Sequence, residues 1–267
     1  MSDAGRSDPL LDIKDLTKFF GDLCAVKGFN LCLPEGALGG LIGPNGAGKT
    51  TVFNLITGLI ELSSGEITFG KERIDGLEPF EITRLGIART FQSIRLFSNL
   101  SVLDNVRIAY HPHARYGIAE SLLRTRTCAS KEKELTEQAL EFLSILKLDG
   151  IAEKVAKNLP HGEQRRVEIA RALACKPKVL LLDEPAAGMN PREILELMDL
   201  LNFVRERFKL TILLIEHQMS VVMGICELIT VMDRGEIIAR GTPRAIQGNA
   251  TVIEASLGKS AASSAAG

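Results

Sequence analysis

Eight consecutive residues restrict this chain more than any other feature. Gly43-Pro44-Asn45-Gly46-Ala47-Gly48-Lys49-Thr50 fits the pattern G-x-x-x-x-G-K-[ST], with an apolar run over 37–42 before it and an apolar, helix-forming run over 51–59 after it. Strand, glycine loop and helix in that order leave few folds open. The glycines allow backbone angles that turn successive N–H groups inward, and the helix that follows adds its positive N-terminal end. Such a nest suits triphosphate oxygens. Chance supplies the four fixed positions in about one chain of this size per hundred, before the flanking strand and helix are required. Gly43 to Thr51 are therefore the candidate nucleotide site, with Lys49 reaching the β- and γ-phosphates of ATP and the Thr50 hydroxyl a ligand of Mg²⁺.

A second apolar run, Val179-Leu180-Leu181-Leu182, ends in the carboxylates Asp183 and Glu184. The carboxyl end of a buried strand is where an open α/β sheet binds its ligands. Asp183 is expected to hold the Mg²⁺ shell, and Glu184 to polarise the water that attacks the γ-phosphate. Further apolar runs at 210–215 and 228–232, separated by helical stretches, predict strands buried on both faces and hence a parallel sheet. Asp233-Arg234-Gly235-Glu236 has the composition of a hairpin turn.

Ahead of this core, residues 10–16 and 24–33 alternate as half-buried strands, with short edge strands expected at 67–69, at Ile74 and over 86–90. From about Ser101 to Cys175 the period turns helical, most clearly where Leu135, Ala139, Phe142, Leu143 and Leu146 recur at three- and four-residue steps. Residues 110–130 lack a clean period and read as an irregular excursion. The small-residue run 260–267 reads as disordered. The expectation is one domain over 10–258, with core segments 10–92 and 176–258, an all-helical insertion over 93–175, and a disordered tail at 259–267.

Thirty-two Lys and Arg balance 33 Asp and Glu, so no positive field exists to hold nucleic acid. The apolar runs are far below the roughly 20 residues that span a bilayer, and the polar N-terminus has no secretory h-region, so the chain is expected to stay in the cytoplasm. Cys24, Cys32, Cys128, Cys175 and Cys226 are scattered without C-x-x-C pairing and read as reduced core thiols. His111 and His113 lack accompanying ligands and read as loop residues rather than a metal site.

Lys49-Thr50, Gln92, Gly162-Glu163-Gln164-Arg165-Arg166, Asp183-Glu184-Pro185 and Glu216-His217 occur in the order and approximate spacing of the ATP-binding-cassette (ABC) family, which the chain resembles from about Leu10 to Gly258. The resemblance implies a P-loop NTPase core of parallel sheet with an N-terminal antiparallel β subdomain and an inserted all-helical subdomain. It implies an ATPase coupled to transmembrane transport, with Gln92 touching metal and attacking water, His217 bonding the γ-phosphate, and Phe20 stacked on adenine; packing of Phe20 in the core, or a swap with Phe19, stays open. The family's signature loop, which binds the partner protomer's γ-phosphate, is matched by Pro160, His161, Gly162 and Glu163. Here the sequence departs. Pro160 has neither the usual hydroxyl nor an N–H, and Glu163 places a negative charge near the phosphate. Asn190 also stands where an aspartate is usual.

Residues 45–58, 86–92, 164–166 and 186–191 resemble most closely the ATP-binding subunits of bacterial branched-chain amino acid importers. That implies Leu, Ile or Val as cargo and a place on the cytoplasmic side of the inner membrane. Two permease subunits, a second ATP-binding subunit and, indirectly, an extracytoplasmic binding protein are the implied partners. An ABC ATPase for urea, another amide or lipopolysaccharide, or one without a membrane partner, remains an alternative.

Overall fold

The computed structural model of the protein describes residues 9–110 and 126–252. Most of the excursion expected over 110–130, His111 and His113, and the tail at 259–267 lie outside the described residues. From Arg126 onward the chain is helical, earlier than its periodicity suggested.

Two sheets are built. The first is antiparallel, in the order β2 (Leu23–Leu33), β1 (Leu11–Phe20), β4 (Ser64–Phe69) and β5 (Glu72–Arg73). The second has six strands in the order β10 (Glu236–Gly241), β9 (Leu228–Asp233), β3 (Leu38–Ile42), β8 (Thr211–Ile215), β7 (Val179–Asp183) and β6 (Ile87–Arg89). Its pairings are parallel except for the β9–β10 hairpin, which turns through Arg234 at φ 47° and Gly235 at φ 84°. Both residues in the left-handed region are what a two-residue hairpin with the sheet's own twist requires. The segment at 86–90 pairs with β7 at the edge of the parallel sheet, not with the β-rich N-terminal part, and Ile74 is a buried residue after β5 rather than a strand.

The period of two in these strands sorts the core into layers. Leu180 and Leu182 of β7 and Ile212 and Leu214 of β8 point to one face. They join Val106 of α3 (Val102–Tyr110), Leu143 of α4 (Arg126–Ile145), Leu173 of α5 (His161–Ala174) and Leu201 of α6 (Pro191–Phe208). Val179, Leu181, Leu213 and Ile215 point to the other face, against Val52 and Phe53 of α1 (Lys49–Ile56) and, beyond it, Leu11, Phe29 and Ile67 of the antiparallel sheet. Helix α1 thus lies between the two sheets.

Helix α2 (Pro79–Leu85) was not legible from periodicity, being only seven residues long. Its signals are Pro79 at the first position, the reciprocal Glu78–Glu81 capping box and Gly86 at φ 117° as its stop. Asn190 caps α6: its side chain accepts from the Arg192 and Glu193 amides while Glu193 returns to the Asn190 N–H. A short helix α7 (Met219–Ile225) follows β8, and α8 (Pro243–Gln247) follows β10.

The cysteines do not all behave as core thiols. Cys226 is buried, Cys24 and Cys175 are half-buried, and Cys32 is exposed, because it alternates with the buried Leu31 and Leu33 on β2. Among the described residues no helix is long and apolar enough to cross a membrane.

Candidate functional site

The loops that follow β3, β6, β7 and β8 all leave the same carboxyl edge of the parallel sheet, where open α/β sheets place their ligands. The loop after β3 is Gly43-Pro44-Asn45-Gly46-Ala47-Gly48. Two of its glycines are obligatory: a Cβ on Gly43 would stand 2.0 Å from the Met232 carbonyl oxygen, and one on Gly48 2.5 Å from that of Ala25. Their φ angles, 148° and 99°, are also ones that L side chains rarely adopt. The β9–β10 turn braces the loop, with the Gly235 N–H donating to the Ala47 carbonyl at 3.0 Å and the Lys27 N–H to the Gly235 carbonyl at 2.9 Å. Lys49, the first residue of α1, is buried, and its Nζ donates to the Gly43 and Pro44 carbonyls at 2.8 and 2.9 Å.

A cleft of about 540 Å³ runs over this loop, lined by residues 45–51 together with Gln92, Glu184 and His217 and bordered by Leu23, Cys24, Ala25 and Arg234. Glu184 is the residue on which two of its polar side chains converge. Its Oε2 accepts from Gln92 Nε2 at 2.9 Å, and its Oε1 lies 3.0 Å from His217 Nε2. Three residues separated by up to 125 positions thus meet at one carboxylate. Residue 184 turns sharply off β7 at φ 49°, a left-handed conformation that costs a non-glycine residue about 1 to 3 kcal/mol. The turn is held by its own N–H donating to the Ile215 carbonyl and by Ala187 N–H donating to its carbonyl.

Asp183 faces an adjoining cleft that shares Thr50 and Gln92 with the first. Its Oδ2 accepts from Arg89 Nη2 at 2.8 Å, in an ion pair whose side chains are 5% and 3% exposed. Arg89 also donates to Asn54 of α1 at 2.7 Å and lies between the Phe53 and Phe91 rings. Burial pushes its guanidinium below its ordinary range, while the Asp183 carboxylate acts in the opposite direction. The other oxygen, Asp183 Oδ1, is buried without a hydrogen-bond partner. An orphaned carboxylate oxygen on a residue that lines one cleft with Thr50 and Gln92 is a donor set that fits Mg²⁺, which takes one or two carboxylates, waters and substrate phosphates rather than a full protein cage. No group of three His, Cys, Asp or Glu able to hold a metal occurs among the described residues.

Phe20 does not line the cleft. It ends β1, opposite Leu23 in the register, half-exposed like Phe19 and with Lys18 Nζ 5.1 Å from its ring centroid; neither ring is core. The signature residues also lie away from the cleft. Pro160 is the N-cap of α5 with no side-chain cap bond, His161 packs near Gly188, and a Cβ on Gly162 would meet the Glu193 carboxylate at 2.9 Å.

Sequence reasoning named Glu216 only as the neighbour of His217 and gave it no role of its own. It is 2% exposed, its Oε1 accepts from the Ala186 N–H at 2.8 Å, and its Oε2 from the His217 and Gln218 N–H groups at 3.0 and 3.2 Å. One carboxylate therefore ties the loop carrying Glu184 to the loop carrying His217. Its local sequence signal is a charge directly after a fully apolar strand.

Residues 26–187 match the family model described as ABC transporter. The chain is 44% identical over 253 residues to the high-affinity branched-chain amino acid transport ATP-binding protein LivG of Salmonella typhimurium, covering 95% of this chain and 99% of that one. It is similar in structure to an ATP-binding cassette of an ABC transporter in its ADP conformation, with TM-score 0.81 and 31% identity over 93% of this chain and 98% of the other. A dimeric bacterial ABC transporter cassette superposes with TM-score 0.74 and 28% identity over 88% and 99% of the two chains.

Proposed function

The chain belongs to the ABC transporter family, and from that premise we propose that it is the ATP-hydrolysing subunit of an importer of branched-chain amino acids. The cargo is inferred from the likeness to LivG along nearly the whole chain. The hydrolytic reading is carried by one observation: Gln92 and His217 converge on the two oxygens of Glu184 in the cleft over the glycine loop.

In this reading the loop N–H groups and the N-terminus of α1 receive the phosphates, and Lys49 exchanges its two carbonyl partners for the β- and γ-oxygens. Glu184 accepts a proton from the attacking water, while Gln92 and His217 fix which of its lone pairs faces that water. Thr50, Gln92 and Asp183 would hold Mg²⁺, which when bound offsets charge developing on the phosphate oxygens. Phe20 would offer its exposed ring to the adenine. Pro160, His161, Gly162 and Glu163 would face the γ-phosphate held by a partner cassette, giving each site two chains.

The labour follows the division of the chain into a core of 10–92 and 176–258 and a helical insertion of 93–175. The partners in this reading are two membrane permease subunits, a second ATP-binding subunit and, indirectly, an extracytoplasmic binding protein, with the chain peripheral on the cytoplasmic face of the inner membrane. The test is reconstitution of this chain in proteoliposomes with two permease subunits, a second cassette and a binding protein of a branched-chain amino acid importer. ATP-dependent uptake of labelled leucine, abolished by Glu184→Gln, is expected. Uptake of another cargo with no response to leucine, isoleucine or valine would overturn the cargo assignment.

A further inference from the structure

The largest fully buried side chain in the described protein is charged. Arg165 lies one turn into α5 with its side chain 1% exposed, and a guanidinium shielded from water must find acceptors inside the protein. It finds three. Nη1 donates to the Phe91 carbonyl at 2.7 Å and to Glu168 Oε2 at 2.6 Å, and Nη2 donates to the Gln92 carbonyl at 2.8 Å. Glu168, equally buried, accepts from the Arg95 N–H through its other oxygen at 3.2 Å.

The segment so gripped has no secondary structure of its own. After the Thr90 N–H donates to Leu181, the main chain of residues 91–95 makes its hydrogen bonds to Arg165 and Glu168 alone among the described residues. Gln92 therefore stands with its main chain fastened to α5 and its side chain fastened to Glu184 on the sheet. A buried ion pair is seldom the most stable filling for a core; apolar residues of similar volume often serve as well. What this pair supplies and an apolar pair would not is a fixed position for three main-chain groups.

We propose that Arg165, with Glu168, is a positioning residue for ATP hydrolysis, setting the reach of Gln92 to Glu184. The inference rests on the reading of Gln92 as a member of the hydrolytic site. It has a mechanical corollary: α5 begins at the signature residues 161–163, so a shift of that helix on contact with a partner cassette carries Gln92 with it.

A mutant cycle on the full-length chain tests this. The double change Arg165→Met/Glu168→Met replaces the ion pair by apolar side chains of similar size while deleting the three bonds to the segment. It is made in the wild-type and Gln92→Ala backgrounds. In the wild type, kcat for ATP is expected to fall about ten- to a hundredfold, the range for a misplaced group, with KM within about twofold. Hydrogen exchange at the Arg95 amide should quicken. In the Gln92→Ala background the same change should alter kcat by less than about twofold, because it acts through a side chain no longer there. Arg165→Lys, which keeps the charge beside Glu168 but cannot span both carbonyls, should give an intermediate kcat and serves if the double variant does not fold. An equal loss in both backgrounds, or an unchanged kcat in the wild-type one, overturns the proposal while leaving Gln92 in the site. A Gln92→Ala protein that turns over at the wild-type rate removes Gln92 from the site and the proposal with it.

Discussion

Arg89 and Asp183 form a buried ion pair, 2.8 Å from Nη2 to Oδ2, across the neighbouring strands β6 and β7. Since Arg89 also bonds Asn54, this contact links the helix after the glycine loop to the strand that ends in Asp183 and leads into Glu184. Removing one partner of a buried pair leaves the other charge uncompensated, at about 3 to 5 kcal/mol. Arg89→Met should therefore lower the thermal midpoint by roughly 6 to 20 °C, at about 2 to 4 °C per kcal/mol for a chain of this size. Calorimetry checks it; a shift under about 2 °C would mean that water reaches Asp183.

Lys49 and Glu184 should separate binding from chemistry. Lys49→Ala removes the only lysine that lines the cleft among the described residues and is expected to abolish ATP binding. Glu184→Gln keeps the shape, retains binding and slows hydrolysis by about 10²- to 10⁴-fold, the usual contribution of a positioned base. Isothermal titration alongside single-turnover hydrolysis reads both. Equal loss of ATP affinity in the two variants would remove Glu184 from the proposed role.

Glutamine should not replace Glu216. Three N–H donors surround two carboxylate oxygens, so an amide NH₂ would be forced against a donor. Glu216→Gln should cost about 1 to 3 kcal/mol per donor left unsatisfied, seen as a lower urea midpoint with unchanged slope. An unchanged midpoint would show that the two loops are held by other contacts.

Pro160 caps α5 without a donor or acceptor side chain. Pro160→Ser supplies a hydroxyl and an N–H toward a partner's phosphate, and a charge-assisted hydrogen bond of about 1.5 to 3 kcal/mol allows up to roughly a hundredfold tighter ATP-dependent pairing. Association of the Glu184→Gln protein with its partner cassette, with and without the serine, decides. Weaker pairing in the serine variant would show that proline rigidity, not a missing donor, shapes the loop.

Thiol reactivity should follow burial. Burial, with smaller help from Glu216 and Glu227, pushes the Cys226 thiol up to about 12. Only about one molecule in 10⁴ then carries the thiolate at pH 8, and the thiolate is the reacting form. Under native conditions iodoacetamide should label exposed Cys32 and spare Cys226 until denaturant is added; peptide mapping distinguishes them.

The sequence by itself determined the features whose causes are local. A strand, a glycine loop and a helix are written in consecutive residues, so Gly43 to Thr50 could be assigned a phosphate nest before any contact was known. Apolar runs ending in Asp183-Glu184 and before His217, and the Arg234-Gly235 turn, were equally readable, as was the parallel sheet they imply. Cys32 was misread as a core thiol, although its place between the inward-facing Leu31 and Leu33 puts it outside by the period of two. What only the tertiary structure decided are the partners of charges. Arg89 meets Asp183 across 94 positions, Glu216 reaches back 30 to Ala186, and Arg165 reaches back 73 to Gln92. Each pairing depends on strand order and on which turn of a helix faces a loop, and neither is encoded in the spacing of the residues themselves. A buried charge announces that it needs a partner, but only the packed fold selects which one.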